Sequence, residues 1–132
     1  MILPDTSAWI EFLRGTGSPT HLRLRALVSA GAPLATAAPV VMEVLSGARN
    51  DVEERRLLRL LLSLEFVAMN DVHDGQDAAR LHRRCRVAGD TVKSLIDCLI
   101  AVIAMRSDAE LLHRDRDFTV IAKHAPLRIA PA

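Results

Sequence analysis

Five carboxylates lie within or directly after apolar stretches at widely separated positions of the sequence: Asp5, Glu43, Asp97, Asp115 and Asp117. Moving an ionised carboxylate out of water costs several kcal/mol unless a counter-charge accompanies it. A chain that buries several acids therefore needs a shared cation or raised pKa values. No His or Cys spacing typical of a zinc site accompanies these oxygen donors. Hard cations such as Mg²⁺ or Mn²⁺ fit the donor set best.

A solvent-exposed role is least plausible for Glu43, because apolar side chains surround it at positions 40–42, 44 and 45. The other four have simpler structural explanations that the sequence leaves open. Asp5 is a typical N-cap residue, and Ser94-x-x-Asp97 fits a capping box. Asp115 and Asp117 alternate with arginines, as in a solvated run of charges. Capping and metal binding are compatible, so a shared cation is not excluded.

Apolar and polar segments alternate in the manner of strands separated by helices, which predicts an α/β fold with a mostly parallel sheet. Capping residues and hydrophobic spacing place helices at 7–13, 19–31, 39–47, 51–64, 74–88, 94–105 and 117–123. Short apolar runs place strands at 2–5, 33–36, 65–69, 110–113 and 127–129. The helix over 94–105 is apolar around nearly its whole circumference, so we expect it to be central and buried.

Four of the acids are expected at one edge of this sheet. Ligands of open parallel sheets gather beyond the carboxyl ends of the strands, where the order of connection reverses. Asp5 closes the first strand and Asp115 follows a later one, while Asp97 and Glu43 lie in helices that begin near strand ends. Carboxylates gathered there repel one another unless cations are present. Divalent cations would relieve this repulsion and hold a phosphodiester for attack by water.

The charge balance favours a polyanionic partner. The net charge is only +1, but subtracting the five acids above from the 16 acidic residues leaves 11 against 17 basic ones. Fifteen of the basic residues are arginine, whose guanidinium grips phosphate in a bidentate fork. Biased codon usage would also enrich arginine, and that explanation stays open.

Length and composition indicate one globular domain over residues 1–132 and exclude a disordered or fibrous chain. The two cysteines fit neither a redox pair nor a zinc site, which favours a reducing cytoplasm. Charged residues interrupt the longest apolar stretches, and the N-terminus lacks the basic region of a signal peptide. We therefore expect no membrane span.

Four short motifs, in this order, resemble those of the PIN-domain ribonucleases and, within them, the VapC toxins of type II toxin-antitoxin modules. They are Asp5-Thr6-Ser7, Glu43 with Leu45-Ser46-Gly47, Ser94-Leu95-Ile96-Asp97-Cys98-Leu99-Ile100-Ala101, and Leu112-His113-Arg114-Asp115-Arg116-Asp117-Phe118. The resemblance covers essentially the whole chain. It implies a three-layer, Rossmann-like PIN fold with about five short strands flanked by helices.

The resemblance also implies an activity, a cofactor and partners. The activity would be Mg²⁺-dependent cleavage of structured RNA such as tRNA or rRNA by an activated water, with Mn²⁺ able to substitute. Asp5, Glu43, Asp97 and Asp115 would be the catalytic and metal-binding acids, and Asp117 an accessory metal ligand. The implied partners are a VapB-type antitoxin and a second copy of the chain, in a cytoplasmic toxin-antitoxin hetero-oligomer.

Candidates for RNA binding are Lys93, Arg114 and Arg116, which are near the acids in sequence. The arginines at 80, 83, 84 and 86 are further candidates, with a solvated helix face as the alternative. One Trp, three Phe and no Tyr are too few for a base-stacking platform, so recognition should depend on RNA shape and backbone. A function of a different class is a catalytically inactive PIN-like module that binds RNA or sequesters antitoxin. The intact set of acids argues against it.

Two residues depart from the family pattern. Pro4 stands where an aliphatic strand residue is usual, and it removes one ladder N–H. His113 stands where many relatives have Thr; it either titrates near neutral pH or is a buried structural histidine. Trp9 and Phe12 share one face of the first helix, a spacing more typical of a core than of an interface. The resemblance nevertheless implies an antitoxin-binding groove near that helix.

Overall fold

The computed structural model describes residues 1–132 and contains four strands and seven helices. The strands are β1 (Ile2–Pro4), β2 (Ala35–Thr36), β3 (Glu65–Phe66) and β4 (Glu110–Leu112). The helices are α1 (Thr6–Arg14), α2 (Pro19–Ser29), α3 (Ala38–Ser46), α4 (Asp51–Leu62), α5 (Asp71–Val87), α6 (Leu95–Arg106) and α7 (Arg116–Ile121). Every predicted helix is present, and the largest error is the start of α5, which begins at Asp71 instead of Asp74.

The strands form a parallel sheet in which β1 pairs with β4 and β2 pairs with β3. Single parallel bridges join Ile2 to Leu34 and Leu111 to Ile129, so the order is β3, β2, β1, β4 and the segment 127–129. This confirms the predicted parallel sheet of about five short strands. The connections run outward from β1 to β3 and then return past β1 to β4. The reversal therefore lies between β1 and β4, where a ligand site is expected.

Pro4 explains why β1 pairs fully on one side only. The N–H of Ile2 donates toward β2, to the oxygen of Pro33, whereas the N–H of Asp5 donates toward β4, to the oxygen of Leu112. By this alternation the next donor toward β2 would come from residue 4, and proline has none. The ladder to β2 stops after one bridge, while the ladder to β4 continues through Pro4.

The strands predicted over 33–36 and 65–69 are shorter than expected. The β2–β3 ladder has two residue pairs, because α3 begins at Ala38 and takes the chain out of the sheet. One more bond, from the N–H of Val67 to the oxygen of Thr36, closes the pairing at 2.8 Å. The chain then leaves toward α6, where Arg106 donates to the carbonyl of Ala68. Tertiary contacts therefore decided where these strands end.

Helix α6 is at the centre of the core, as its apolar sequence predicted, with seven buried residues in twelve. Helices α1 to α4 contact one another, and α5 to α7 form a second packed group. Helix α3 also contacts α6, which joins the two groups. Because crossovers between parallel strands are right-handed as a rule, the reversal of direction after β3 is expected to place the two groups on opposite faces of the sheet. Trp9 is fully buried, in edge contact with Phe12, so the prediction of a core role for Trp9 is confirmed. None of the helices combines the length and the apolar character needed to cross a membrane.

Candidate metal centre

Three of the predicted acids form a compact cluster at the carboxyl end of β4. One carboxylate oxygen each from Asp97, Asp115 and Asp117 lies within 4.8 Å of the others. Asp97 is in the first turn of α6, Asp115 is the N-cap of α7 and Asp117 is in the first turn of α7. Asp97 and Asp117 are buried, and Asp115 is the least buried of the three. Two helix starts thus bring three carboxyl groups together where the connections reverse.

Asp97 has the least favourable environment for a charged carboxylate. Burial raises its pKa to about 8, helped by a hydrogen bond with Asp117 and by the charges of Asp5, Asp115 and Asp117. No cationic side chain pairs with it. A divalent cation bound by these oxygens would supply the missing counter-charge, so the donor set fits a hard metal ion.

Asp5 combines a capping role with a free ligand atom. Its Oδ2 accepts hydrogen bonds from the N–H of Ser7 at 2.9 Å and from Ser7 Oγ at 2.6 Å, which confirms its N-cap role. Its Oδ1 is buried and has no partner. Burial raises the pKa of Asp5 to about 6, against the lowering effect of Ser7 and Thr6, and the charge of Glu43 adds to the rise. An orphaned carboxylate oxygen of this kind fits a metal ligand.

Glu43 is next to Asp5 and outside the three-acid cluster. Its Oε1 accepts a hydrogen bond from Thr6 Oγ1 at 2.8 Å, and Thr6 directly follows Asp5. Helix α3 is less enclosed than the sequence suggested, because Met42 is 55% exposed and Glu43 itself is only half-buried. The five acids therefore form a row, from Glu43 through Asp5 to Asp97 and its two neighbours.

Asp117 also fixes the start of α6. Its Oδ2 accepts hydrogen bonds from the N–H groups of Lys93 at 3.0 Å and Ser94 at 3.1 Å. The Ser94 side chain makes no capping bond, and Asp97 does not reach back to it. The capping-box explanation of Asp97 is therefore wrong, because Asp117 already satisfies the Ser94 N–H. The explanation of Asp117 as part of a solvated run is also wrong, since it is 6% exposed.

Ser7 connects two acid-bearing segments, and the sequence analysis did not single it out. While its hydroxyl donates to Asp5, its oxygen accepts the N–H of Arg114 at 3.0 Å. The guanidinium of Arg114 pairs with Glu11 at 2.7 Å, so part of its charge is already compensated. The side chains of Lys93 and Arg116 are exposed near the cluster. The feature of the sequence that could have identified Ser7 is a hydroxyl residue two positions after a capping Asp.

His113 has a structural setting. Its Nδ1 accepts the N–H of Asp115 at 3.1 Å, and its ring lies 5.3 Å from that of Phe118. Burial lowers the pKa of His113, although the charge of Asp115 opposes this. The neutral ring thus acts as an acceptor that shapes the loop before Asp115, which favours the structural alternative over the titrating one.

Comparison with known proteins agrees with this geometry. Residues 2–124 match the PIN domain. Ribonuclease VapC11 of Mycobacterium tuberculosis is 45% identical over 131 residues, which cover 98% of both chains. Among solved structures, VapBC2 from Rickettsia felis bound to promoter DNA has a TM-score of 0.74 at 18% identity, over 98% of both chains. VapBC-1 from nontypeable Haemophilus influenzae has a TM-score of 0.74 at 20% identity, over 99% of this chain and 98% of that one.

The two solved structures share the fold of this chain. The similarity to a VapC ribonuclease extends over nearly the whole of both sequences, and the PIN domain accounts for all four strands and all seven helices. The chain therefore belongs to the PIN-domain family and, within it, to the VapC ribonucleases.

Proposed function

We propose that this chain is the toxin of a type II toxin-antitoxin module, an Mg²⁺-dependent endoribonuclease acting on structured RNA such as tRNA or rRNA. The observation that carries the proposal is the buried, unpaired Asp97 beside Asp115 and Asp117, with its pKa raised to about 8. Such a cluster opposes folding unless it binds a cation. A catalytically inactive binding module would have no use for this arrangement, and none of the acidic positions is substituted.

Asp5, Asp97 and Asp115 would hold the cation, with Glu43 and Asp117 as supporting acids. When bound, the cation polarises the scissile phosphodiester and lowers the pKa of the attacking water. Ser7 occupies Oδ2 of Asp5 and leaves Oδ1 free to face the cation. Mn²⁺ would substitute for Mg²⁺, because both prefer oxygen ligands.

The remaining side chains at this edge would position the substrate. The exposed side chains of Lys93 and Arg116 would contact phosphates beside the scissile bond. Arg114 would contribute less than its position suggests, since Glu11 already pairs with it. Trp9 and Phe118 are fully buried, and the only exposed Trp or Phe ring is that of Phe66 in β3. The contacts would therefore read backbone and shape, and binding would weaken with salt.

The partners in this proposal are a VapB-type antitoxin and a second copy of the chain. The similarity to VapBC structures supports the antitoxin partner. On α1, near the expected antitoxin groove, Ile10 is 37% and Leu13 is 44% exposed. The proposal also places the protein, as one domain over 1–132, in the cytoplasm, where its RNA substrates are.

The test compares Asp97→Asn with Asp71→Asn, which makes the same chemical change at an exposed residue of α5. Purified tRNA and rRNA are incubated with each protein in Mg²⁺, Mn²⁺ or EDTA. We expect metal-dependent cleavage by the wild type and Asp71→Asn, and a loss of about 10²-fold or more in Asp97→Asn. Equal cleavage by both variants contradicts the assignment of Asp97. RNA retention without cleavage under every condition supports the inactive binding module.

A further inference from the structure

The C-terminal half of α5 presents an arginine stripe, which we define as Arg80, Arg83 and Arg84. Residues three and four apart lie on one face of a helix, and all three side chains are exposed. The segment 80–87 contains four arginines and no acidic residue. None of these side chains contacts the acid cluster, so the metal centre does not account for them.

Little inside the protein compensates the charge of this stripe. The nearest carboxylate to Arg80 is that of Asp77, 3.8 Å away, with both side chains 57% exposed. Arg84 donates only to the carbonyl of His124, at 3.3 Å. Arg83 forms no ion pair and no side-chain hydrogen bond. Like charges three and four residues apart destabilise a helix, so a bound anion would stabilise this one.

Helix α4 also carries three exposed arginines three and four residues apart, so it provides a control for arginine content. Its arginines, Arg55, Arg56 and Arg59, share the helix with Asp51, Glu53 and Glu54. Arg49, just before α4, also pairs with Glu53 at 2.8 Å. Helix α4 carries three basic and three acidic residues, whereas α5 carries four arginines and three acidic residues, all three of them in its N-terminal half.

The stripe is connected to the edge of the fold that carries the metal centre. Arg84 contacts the carbonyl of His124, whose ring pairs with Asp90 at 2.7 Å in the loop between α5 and α6. The end of that loop, at Lys93, donates to Asp117 of the acid cluster. Helix α7, about 9 Å long, separates the two sites. A nucleic acid strand a few nucleotides long would reach from one to the other.

We propose that the arginine stripe binds backbone phosphates of the substrate RNA outside the cleavage site. Two adjoining open depressions of the surface, of about 470 and 530 Å³, are both lined by Arg80 and Arg84. The half-buried Met105 also lines the smaller one and would contact a ribose or base. This inference rests on the proposed function and adds where the RNA flank binds.

The test measures binding in an Asp97→Asn background, so that RNA stays intact. Fluorescein-labelled single-stranded RNAs of 8 and 30 nucleotides are titrated by anisotropy against the triple variant Arg80→Gln, Arg83→Gln, Arg84→Gln. We expect affinity for the 30-mer to fall about tenfold or more and its salt slope to fall by about two, since three phosphate contacts are lost. Affinity for the 8-mer should fall as well, because a strand of that length reaches from the metal centre to the stripe. The matched control, Arg55→Gln, Arg56→Gln, Arg59→Gln, should resemble the parent.

Arg83→Glu alone provides a second variant, because Arg83 makes no internal contact whose loss would unfold the chain. It should weaken 30-mer binding more than Arg83→Gln does. Unchanged 30-mer affinity and salt slope in the triple variant overturn the inference, and so does an equal loss in the α4 control. Loss of antitoxin binding with unchanged RNA binding assigns the stripe to the partner and also overturns it. Cleavage of RNA by the wild type with Mg²⁺ tests the proposed function separately. It supports that function whether or not the arginine stripe binds RNA.

Discussion

Asp74 and Asp97 are both buried aspartates in the first turns of neighbouring helices, yet their environments are opposite. Asp74 accepts two hydrogen bonds from Arg106, at 2.9 and 2.8 Å, and one from the N–H of Asn70 at 2.7 Å. Burial tends to raise the pKa of Asp74, but these donors and the Arg106 charge hold it below its usual value. Asp97 has no such donor, and burial and its acidic neighbours raise its pKa to about 8.

The difference shows that burial alone does not identify a functional acid. Asp74 and Arg106 join α5 to α6, and Arg106 also holds the carbonyl of Ala68, so this pair organises the fold. Asp97 has no basic side chain as a partner, and its charge is stabilised only when an external cation binds. The presence or absence of an internal partner thus separates a structural carboxylate from one available for chemistry.

Removing the carboxylate of Asp74, the structural acid, should have the largest effect on stability. Asp74→Asn leaves Arg106 without its carboxylate, and we expect unfolding to become easier by about 2 kcal/mol, less than for a fully buried pair because Arg106 is partly solvated. Cleavage per folded molecule should remain near that of the wild type. Chemical denaturation and RNA cleavage measure the two quantities, with exposed Asp71→Asn as control. A stable, inactive Asp74→Asn variant contradicts the distinction.

The same substitution at Asp97 should act in the opposite direction. Without metal, burial forces Asp97 to keep a proton at pH 7 that the unfolded chain gives up. Asp97→Asn removes the cost of that protonation, and we expect stability at pH 7 to rise by about 1 to 2 kcal/mol. The variant should also lose most of the increase in melting temperature that Mg²⁺ gives the wild type. Differential scanning fluorimetry in EDTA and in Mg²⁺ measures both. Destabilisation comparable to that of Asp74→Asn would mean that Asp97 has an internal partner after all.

Asp5 is intermediate, because one oxygen is satisfied by Ser7 and the other is orphaned. Ser7→Ala removes a bond that lowers the pKa of Asp5, so the pKa should rise further above about 6. We expect metal affinity to fall about tenfold and cleavage to need a higher pH. Ser7→Thr, which keeps the hydroxyl, should restore the pH profile. If the pH profile of cleavage by Ser7→Ala is identical to that of the wild type, the pKa of Asp5 does not depend on this bond.

The smallest effect is a pH dependence of stability in EDTA. Folded Asp97 and Asp5, with pKa values of about 8 and about 6, keep protons that the unfolded chain loses near pH 4. Stability should therefore fall as pH rises from about 4 to about 8, by a few degrees in melting temperature. The lowered pKa of Asp74 acts oppositely, stabilising the fold above about pH 4 and losing that contribution on further acidification. A wild-type curve parallel to that of Asp97→Asn contradicts this assignment.

The fold was largely predictable because its signals are local. The first positions of α2 follow from Ser18 and Pro19, and the burial of α6 follows from its apolar circumference. The strands were less predictable, since a two-residue strand has almost no periodicity of its own. The pairing of Asp74 with Arg106 was missed because its partners are 32 residues apart and no local pattern connects them.

The sequence by itself determined which acids the chain must accommodate, where the helices start and which edge of a parallel sheet those starts face. Residue type, capping preference and hydrophobic period act over a few positions, so one sequence contains them. Only the tertiary structure decided which carboxylates acquire a partner. Asp117 received backbone donors and Asp74 received Arg106, whereas Asp97 received only the acidic neighbour Asp117, which raises its pKa. These outcomes depend on contacts between distant segments, whose energies are fixed only when the helices and the sheet pack together.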